Sequence, residues 1–242
     1  GDIISGIIQQ GRNPDDVLVD LGKLEALLPS GERVPGEKYE HGTRIKCLVV
    51  SVRKGMRGPQ VTLSRSHPNL VKKLFALEVP EIANGAVEIK AIAREAGSRS
   101  KVAVVSHEPG IDPVGSCVGQ RGIRVSSVIN ELGGENIDIV AWSEDQTKLI
   151  ANALSPAKVL NVVLDEAHHL AIVEVSEDQL SLAIGKSGQN VRLAAELSGW
   201  KIDIKSSTPV TPIVEQVAEE KDAKVSESTV DLAEPGGVEN QK

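Results

Sequence analysis

Aromatic side chains are almost missing from this 242-residue chain: Tyr39, Phe75, Trp142 and Trp200 are the whole set. A surface that grips nucleobases mainly by stacking them on rings needs more. Aliphatic packing and backbone contacts must therefore carry most of any recognition. Cysteine is equally scarce, and Cys47 and Cys117 are too few and too far apart for a disulfide framework or a zinc site. No apolar run approaches the roughly 18 residues of a membrane helix. The N-terminus also lacks the charged-then-apolar pattern of a signal peptide, so a cytoplasmic protein away from the membrane is expected. His107, His168 and His169 are not spaced with Cys or acids as metal ligands or a triad, and the His168-His169 pair reads as surface. No metal, cofactor or catalysis is expected. The chain starts at Gly1, without methionine and inside a strand-like run, which reads as a fragment with sequence missing upstream.

Net positive charge is also lacking: the formal charge is -7. It is unevenly placed, because residues 206–242 hold eight acidic and three basic side chains. Residues 43–77, by contrast, carry Arg44, Lys46, Arg53, Lys54, Arg57, Arg65, Lys72 and Lys73 and no acid. Such a stretch suits a nucleic-acid backbone, or is simply a solvated face.

What is present is pattern. Short β-rich runs at Ile3–Ile8, Val17–Leu21, Arg44–Val52 and Gln60–Leu63, punctuated by Gly and Pro turns, predict a small closed all-β barrel of the OB type over residues 1–66. Downstream lies an internal repeat. Gly119-Gln120-Arg121-Gly122 returns 66 residues later as Gly185-Lys186-Ser187-Gly188. Each copy is preceded by a short helical segment and followed by a helix, Glu-Leu, a glycine turn and Ile-Asp-Ile. In the first, Val125, Val128, Ile129 and Leu132 form one apolar helix stripe. Strand-like runs at 86–94 and 101–106 recur at 158–164 and 170–175. Each copy thus reads helix, strand, strand, helix, glycine turn, helix, strand, an α+β domain at 67–143 and again at 144–205. Residues 206–242 are predicted to be a disordered acidic tail.

A Gly-x-x-Gly turn between helices has a physical use. Without Cβ atoms the main chain can be approached closely, and the next helix aims free N–H groups and a positive dipole end into the turn. A phosphate fits there, with Arg121 and Lys186 supplying charge and Arg124 and Arg192 one turn further on. Bases would then lie on Val118, Ile123 and Val125, or on Leu182, Ile184 and Val191. This is the KH mode of single-stranded RNA binding.

Longer strings sharpen the expectation. VLVDLGKLEALL (Val17–Leu28), VTLSRSHPNLVKKLFALEVPE (Val61–Glu81), NALSPAKV (Asn152–Val159) and QLSLAIGKSGQN (Gln179–Asn190) resemble the NusA family of bacterial transcription elongation and termination factors. The resemblance runs over Gly1–Lys205. It implies an RNA-binding barrel of the ribosomal-protein S-one type followed by two type II KH domains. It implies single-stranded nascent RNA, RNA polymerase and other antitermination factors as partners, in pausing, termination and antitermination. Polymerase contact is expected mainly through a domain absent from this chain, and the protein is expected to be a monomer. The RNA-binding residues it implies are Gly119, Gln120, Arg121, Gly122, Arg124, Gly185, Lys186, Ser187, Gly188, Gln189, Asn190 and Arg192, with Arg44, Lys46 and Arg53 as barrel candidates.

Three rivals remain. Gly185-Lys186-Ser187 looks like the end of a P-loop, but Leu180 stands where that motif needs glycine. An RNA-processing subunit of the exoribonuclease kind would reverse the module order and carry one KH domain. A protein-interaction scaffold would keep its partners when both turns are mutated, whereas an RNA binder would lose its ligand.

Overall fold

Period-two apolar patterning lays out the first five strands. The computed structural model describes residues 1–11, 16–55 and 58–207. In it β1 (Ile3–Gln10), β2 (Val17–Asp20), β3 (Glu25–Leu28), β4 (Arg44–Gly55) and β5 (Gly58–Ser64) close into a barrel in the order β1-β2-β3-β5-β4. Ile8, Val17, Val19, Ala26, Leu28, Ile45, Cys47, Val61 and Leu63 fill its interior. The expected barrel is there, with one strand more than the runs above define. Glu-Ala-Leu-Leu at β3 is helix-favouring by composition, and only the alternate burial of Ala26 and Leu28 makes it a strand.

The first repeat is built from α1 (Pro68–Glu78), the short α2 (Pro80–Ala83), β6 (Val87–Glu95), β7 (Arg99–Ser106), α3 (Pro113–Val118), α4 (Ile123–Glu131) and β8 (Asn136–Ala141). Pro68 opens α1, whose end is capped by His67 Nδ1 accepting from the Asn69 amide at 3.0 Å. The second repeat has α5 (Gln146–Ala153), β9 (Val159–Asp165), β10 (Leu170–Ser176), α6 (Glu177–Ile184), α7 (Gln189–Ser198) and β11 (Lys201–Ser207). In both, the central strand pairs antiparallel with its predecessor and parallel with its successor. β11 corrects one boundary. Ser206 and Ser207 pair with Val175 and Ser176, so they belong to the sheet and not to the tail expected from 206. Residues 208–242, and Arg57, lie outside the described residues.

The two repeats share a core. Helices α1, α3 and α4 cover one face of the β6-β7-β8 sheet through Val87, Ile89, Val102 and Val104. The opposite face, Ala93, Ala103 and Val140, packs into the cluster of the second repeat with Ile150, Leu154, Leu193, Ala194 and Leu197. The alanines let α7 approach this sheet closely, and burial of both faces matches the unbroken apolar run Val102-Ala103-Val104-Val105 in β7.

Charged groups cross the same joints. Arg65, 2% exposed, donates from Nε to Glu37 Oε2 at 3.2 Å, from Nη1 to the Lys46 carbonyl at 2.8 Å and from Nη2 to the Glu131 carbonyl at 2.9 Å, tying the barrel to α4. Arg94 and Glu135 form a fully buried pair. The Lys101 ammonium is buried between Asp138 Oδ2 at 3.1 Å and the Ser155 carbonyl of the second repeat at 2.7 Å. Arg99 holds the same carboxylate at 2.7 Å. Among the described residues no helix is long and apolar enough to cross a membrane, and no group of three or more His, Cys, Asp or Glu could hold a metal ion.

Candidate nucleic-acid interface

Both Gly-x-x-Gly turns have one backbone. In the first, Gly119 takes φ 74 ψ 174, Arg121 φ 53 ψ 25 and Gly122 φ 75 ψ 13. In the second, Gly185, Ser187 and Gly188 take φ 75 ψ 174, φ 52 ψ 30 and φ 74 ψ 13. Three left-handed residues in four is an unusual conformation, and Arg121 and Ser187 hold it at a cost of order 1 kcal/mol each. The same strain kept twice points to one use for both.

The first glycine of each turn is also required by space. A Cβ on Gly119 would stand 2.7 Å from Arg124 Cγ, and one on Gly185 would stand 2.7 Å from Asn190 Cβ. Arg124 and Asn190 occupy equivalent places, five residues beyond that glycine, and do equivalent work. Arg124 Nη1 donates to the Ser116 carbonyl at 2.7 Å and Asn190 Nδ2 to the Leu182 carbonyl at 3.3 Å, each strutting its own turn from beneath.

Both are expected RNA contacts, and in this fold both also have partners within the protein. Asn190 is 4% exposed, and its Nδ2 also donates to the Leu154 and Ala183 carbonyls at 3.0 Å, while its Oδ1 is buried without a hydrogen-bond partner. Arg124 is paired with Glu81 at 2.9 Å. Neither role is legible in the sequence, because the carbonyls that bind them are brought up by other turns of the chain.

Gln120, Arg121, Lys186 and Ser187 are exposed at the tips. The cations are not equivalent, since Lys186 aligns with Gln120 and Arg121 with Ser187. Helices α4 and α7 begin directly after Gly122 and Gly188, so their first N–H groups face the turns. Ile123, Leu182 and Ile184 are 65%, 44% and 38% exposed, an apolar flank beside each phosphate-sized turn, while Val118, Val125 and Val191 are half-buried. An open concavity of about 660 Å³ next to the first turn is lined by Glu81, Asp112, Ser116, Gln120, Ile123 and Arg124.

Gln189 and Arg192 point across the seam between repeats, to Glu95 and Ser98 of the β6–β7 turn. The Glu-Ala-Gly-Ser of that turn carries no signal that it will meet a helix ninety residues on. In the barrel, Arg44 and Arg53 are exposed, whereas Lys46 is engaged by Glu131 at 3.2 Å. Burial pushes the Cys47 thiol up to about 12 and that of Cys117 to about 11, the opposite of an activated nucleophile. His168 and His169 are exposed, as expected, with the His169 ring stacked on Trp200 at 4.1 Å.

Comparison with known proteins matches residues 65–142 to the NusA-like first KH domain and residues 146–211 to the NusA-like second KH domain. The transcription termination/antitermination protein NusA of Halalkalibacterium halodurans is 56% identical over 207 residues, covering 86% of this chain and 54% of that protein. That of Bacillus subtilis is also 56% identical over 207 residues, covering 86% and 56%. That of Thermus thermophilus is 49% identical, covering 86% and 54%. The chain thus spans about half the length of these relatives.

Proposed function

This chain belongs to the NusA family, and from that premise we propose that it binds single-stranded RNA through its two Gly-x-x-Gly turns, in the control of transcription elongation, pausing, termination and antitermination. The observation that carries the reading is the repeated left-handed backbone of the turns, each opening a helix N-terminus. A phosphate takes the N–H groups of α4 or α7, with Arg121 or Lys186 alongside. The following bases lie on Ile123, or on Leu182 and Ile184, about four nucleotides per module. Aliphatic flanks suit a chain with four aromatic residues.

Residues 1–66, 67–143 and 144–205 act as barrel, first and second KH domain, with Arg44 and Arg53 as further phosphate contacts. The shared core fixes the spacing of the turns, so a strand that reaches both gains by avidity. RNA polymerase and other antitermination factors are the protein partners in this reading. The chain works as a cytoplasmic monomer without catalysis.

The test is binding of a short single-stranded RNA by fluorescence anisotropy. Wild type is compared with a variant carrying Gln120→Asp, Arg121→Asp, Lys186→Asp and Ser187→Asp, its fold checked by circular dichroism. Asp tolerates the left-handed conformation better than most residues. A loss of about tenfold or more, roughly 1.4 kcal/mol, is expected. Binding equal to wild type in the folded variant rejects both turns as the site.

A further inference from the structure

One carboxylate of the first repeat reaches the start of the second repeat's helix. Glu95 closes β6, and its Oε1 accepts from Arg192 Nε at 2.6 Å while Oε2 accepts from Gln189 Nε2 at 2.7 Å. Gln189 is the first residue of α7, directly after the turn. The guanidinium that Glu95 holds also donates from Nη1 to the Ser187 carbonyl inside the turn, at 3.3 Å. The Glu95 carboxylate therefore engages two side chains at the start of α7, one of which also reaches into the turn. Burial raises the carboxyl of Glu196, one helical turn beyond Arg192, and Glu95 adds to that as a like charge.

At the first turn the arginine is Arg124, held by Glu81 of its own repeat at 2.9 Å, and no pair crosses between repeats at the positions of Gln189 and Arg192. Counting from the first glycine, Gln189 and Arg192 correspond to Ile123 and Ser126, and both of these are exposed. The pair at the second turn is open to solvent, with the Arg192 side chain 57% and Glu95 29% exposed. A ligand can reach it.

We propose that Glu95 is an intramolecular competitor at the second turn. It holds Arg192 off the RNA, so the second site works with one cation fewer than its sequence carries, and the first domain sets the strength of the second. The inference rests on the RNA-binding reading above.

The test uses the intact chain, a short single-stranded RNA and four proteins: wild type, Glu95→Gln, Arg192→Gln and the double variant. Affinities are measured by anisotropy over a range of salt concentrations, with thermal melting of each protein. Glu95→Gln is expected to tighten binding about threefold to fivefold. It should also steepen the slope of log K against log salt by about 0.7, the signature of one more phosphate contact on a single strand. Arg192→Gln should leave wild-type affinity within about twofold, yet erase the whole gain in the double variant.

Unchanged or weaker binding by Glu95→Gln overturns the inference, and a lower melting temperature with that result makes the pair domain glue. A large loss from Arg192→Gln alone also overturns it, since Arg192 would then already be on the RNA. If wild type binds no RNA, the functional reading fails first, and visibly so.

Discussion

The first glycine of each turn meets two constraints, and they differ between the repeats. At Gly185 an added Cβ would lie 2.7 Å from Asn190 Cβ and 2.9 Å from the Asn190 amide nitrogen, which belong to a fixed helix. At Gly119 the nearest atoms are Cγ and Cδ of Arg124, and that side chain can swing. Both carry φ near +75°. We expect Gly185→Ala to cost roughly 2–3 kcal/mol and Gly119→Ala about 1 kcal/mol less, read as the difference in urea unfolding free energy. The Gly-x-x-Gly spacing was visible in the sequence, and with it the turns. The struts were not. Asn190 follows a run of small polar residues that looks solvated, and its burial depends on the Leu154 carbonyl, which only the fold brings near.

Between elements, the decisive contact is α7 lying on the back of the β6-β7-β8 sheet. Ala93 and Ala103 are fully buried there, in one cluster with Leu193 and Ala194. Ala103→Leu inserts three carbons into a filled seam and should cost about 1–3 kcal/mol, lowering the unfolding midpoint measured by circular dichroism. A seam made of alanines hardly registers in a hydrophobic pattern. The one clue was Val102-Ala103-Val104-Val105, apolar without alternation, as a strand covered on both faces should be. The order of elements in each repeat was legible, because a 66-residue repeat supplies two readings of one plan. β3 was missed for the opposite reason, since its strand state comes from its neighbours in the barrel.

Across the whole molecule, the buried Lys101 ammonium joins the half-buried Asp138 and Arg99 to the Ser155 carbonyl, a connection between the KH repeats. Burial by itself would raise the Asp138 carboxyl, but Arg99 and Lys101 together hold it below the usual carboxylate range. A depressed folded pKa means the stabilisation is complete above the ordinary carboxylate value and is lost as pH falls through the depressed one. Asp138→Asn strands Lys101 inside and should cost about 3–5 kcal/mol at pH 7. Urea midpoints of variant and wild type should converge as pH is lowered. With the core shared, wild type should lose both KH repeats in one transition.

That shared core also has a consequence for how the chain is made. Synthesis completes the first sheet at Ala141, while α7, which covers its back, is not finished until Ser198. At about 5–20 residues per second the ribosome leaves that interval open for several seconds. For that time the newborn first domain shows Ala93, Ala103 and Val140 to water and waits for its second half to emerge before its native surface is closed.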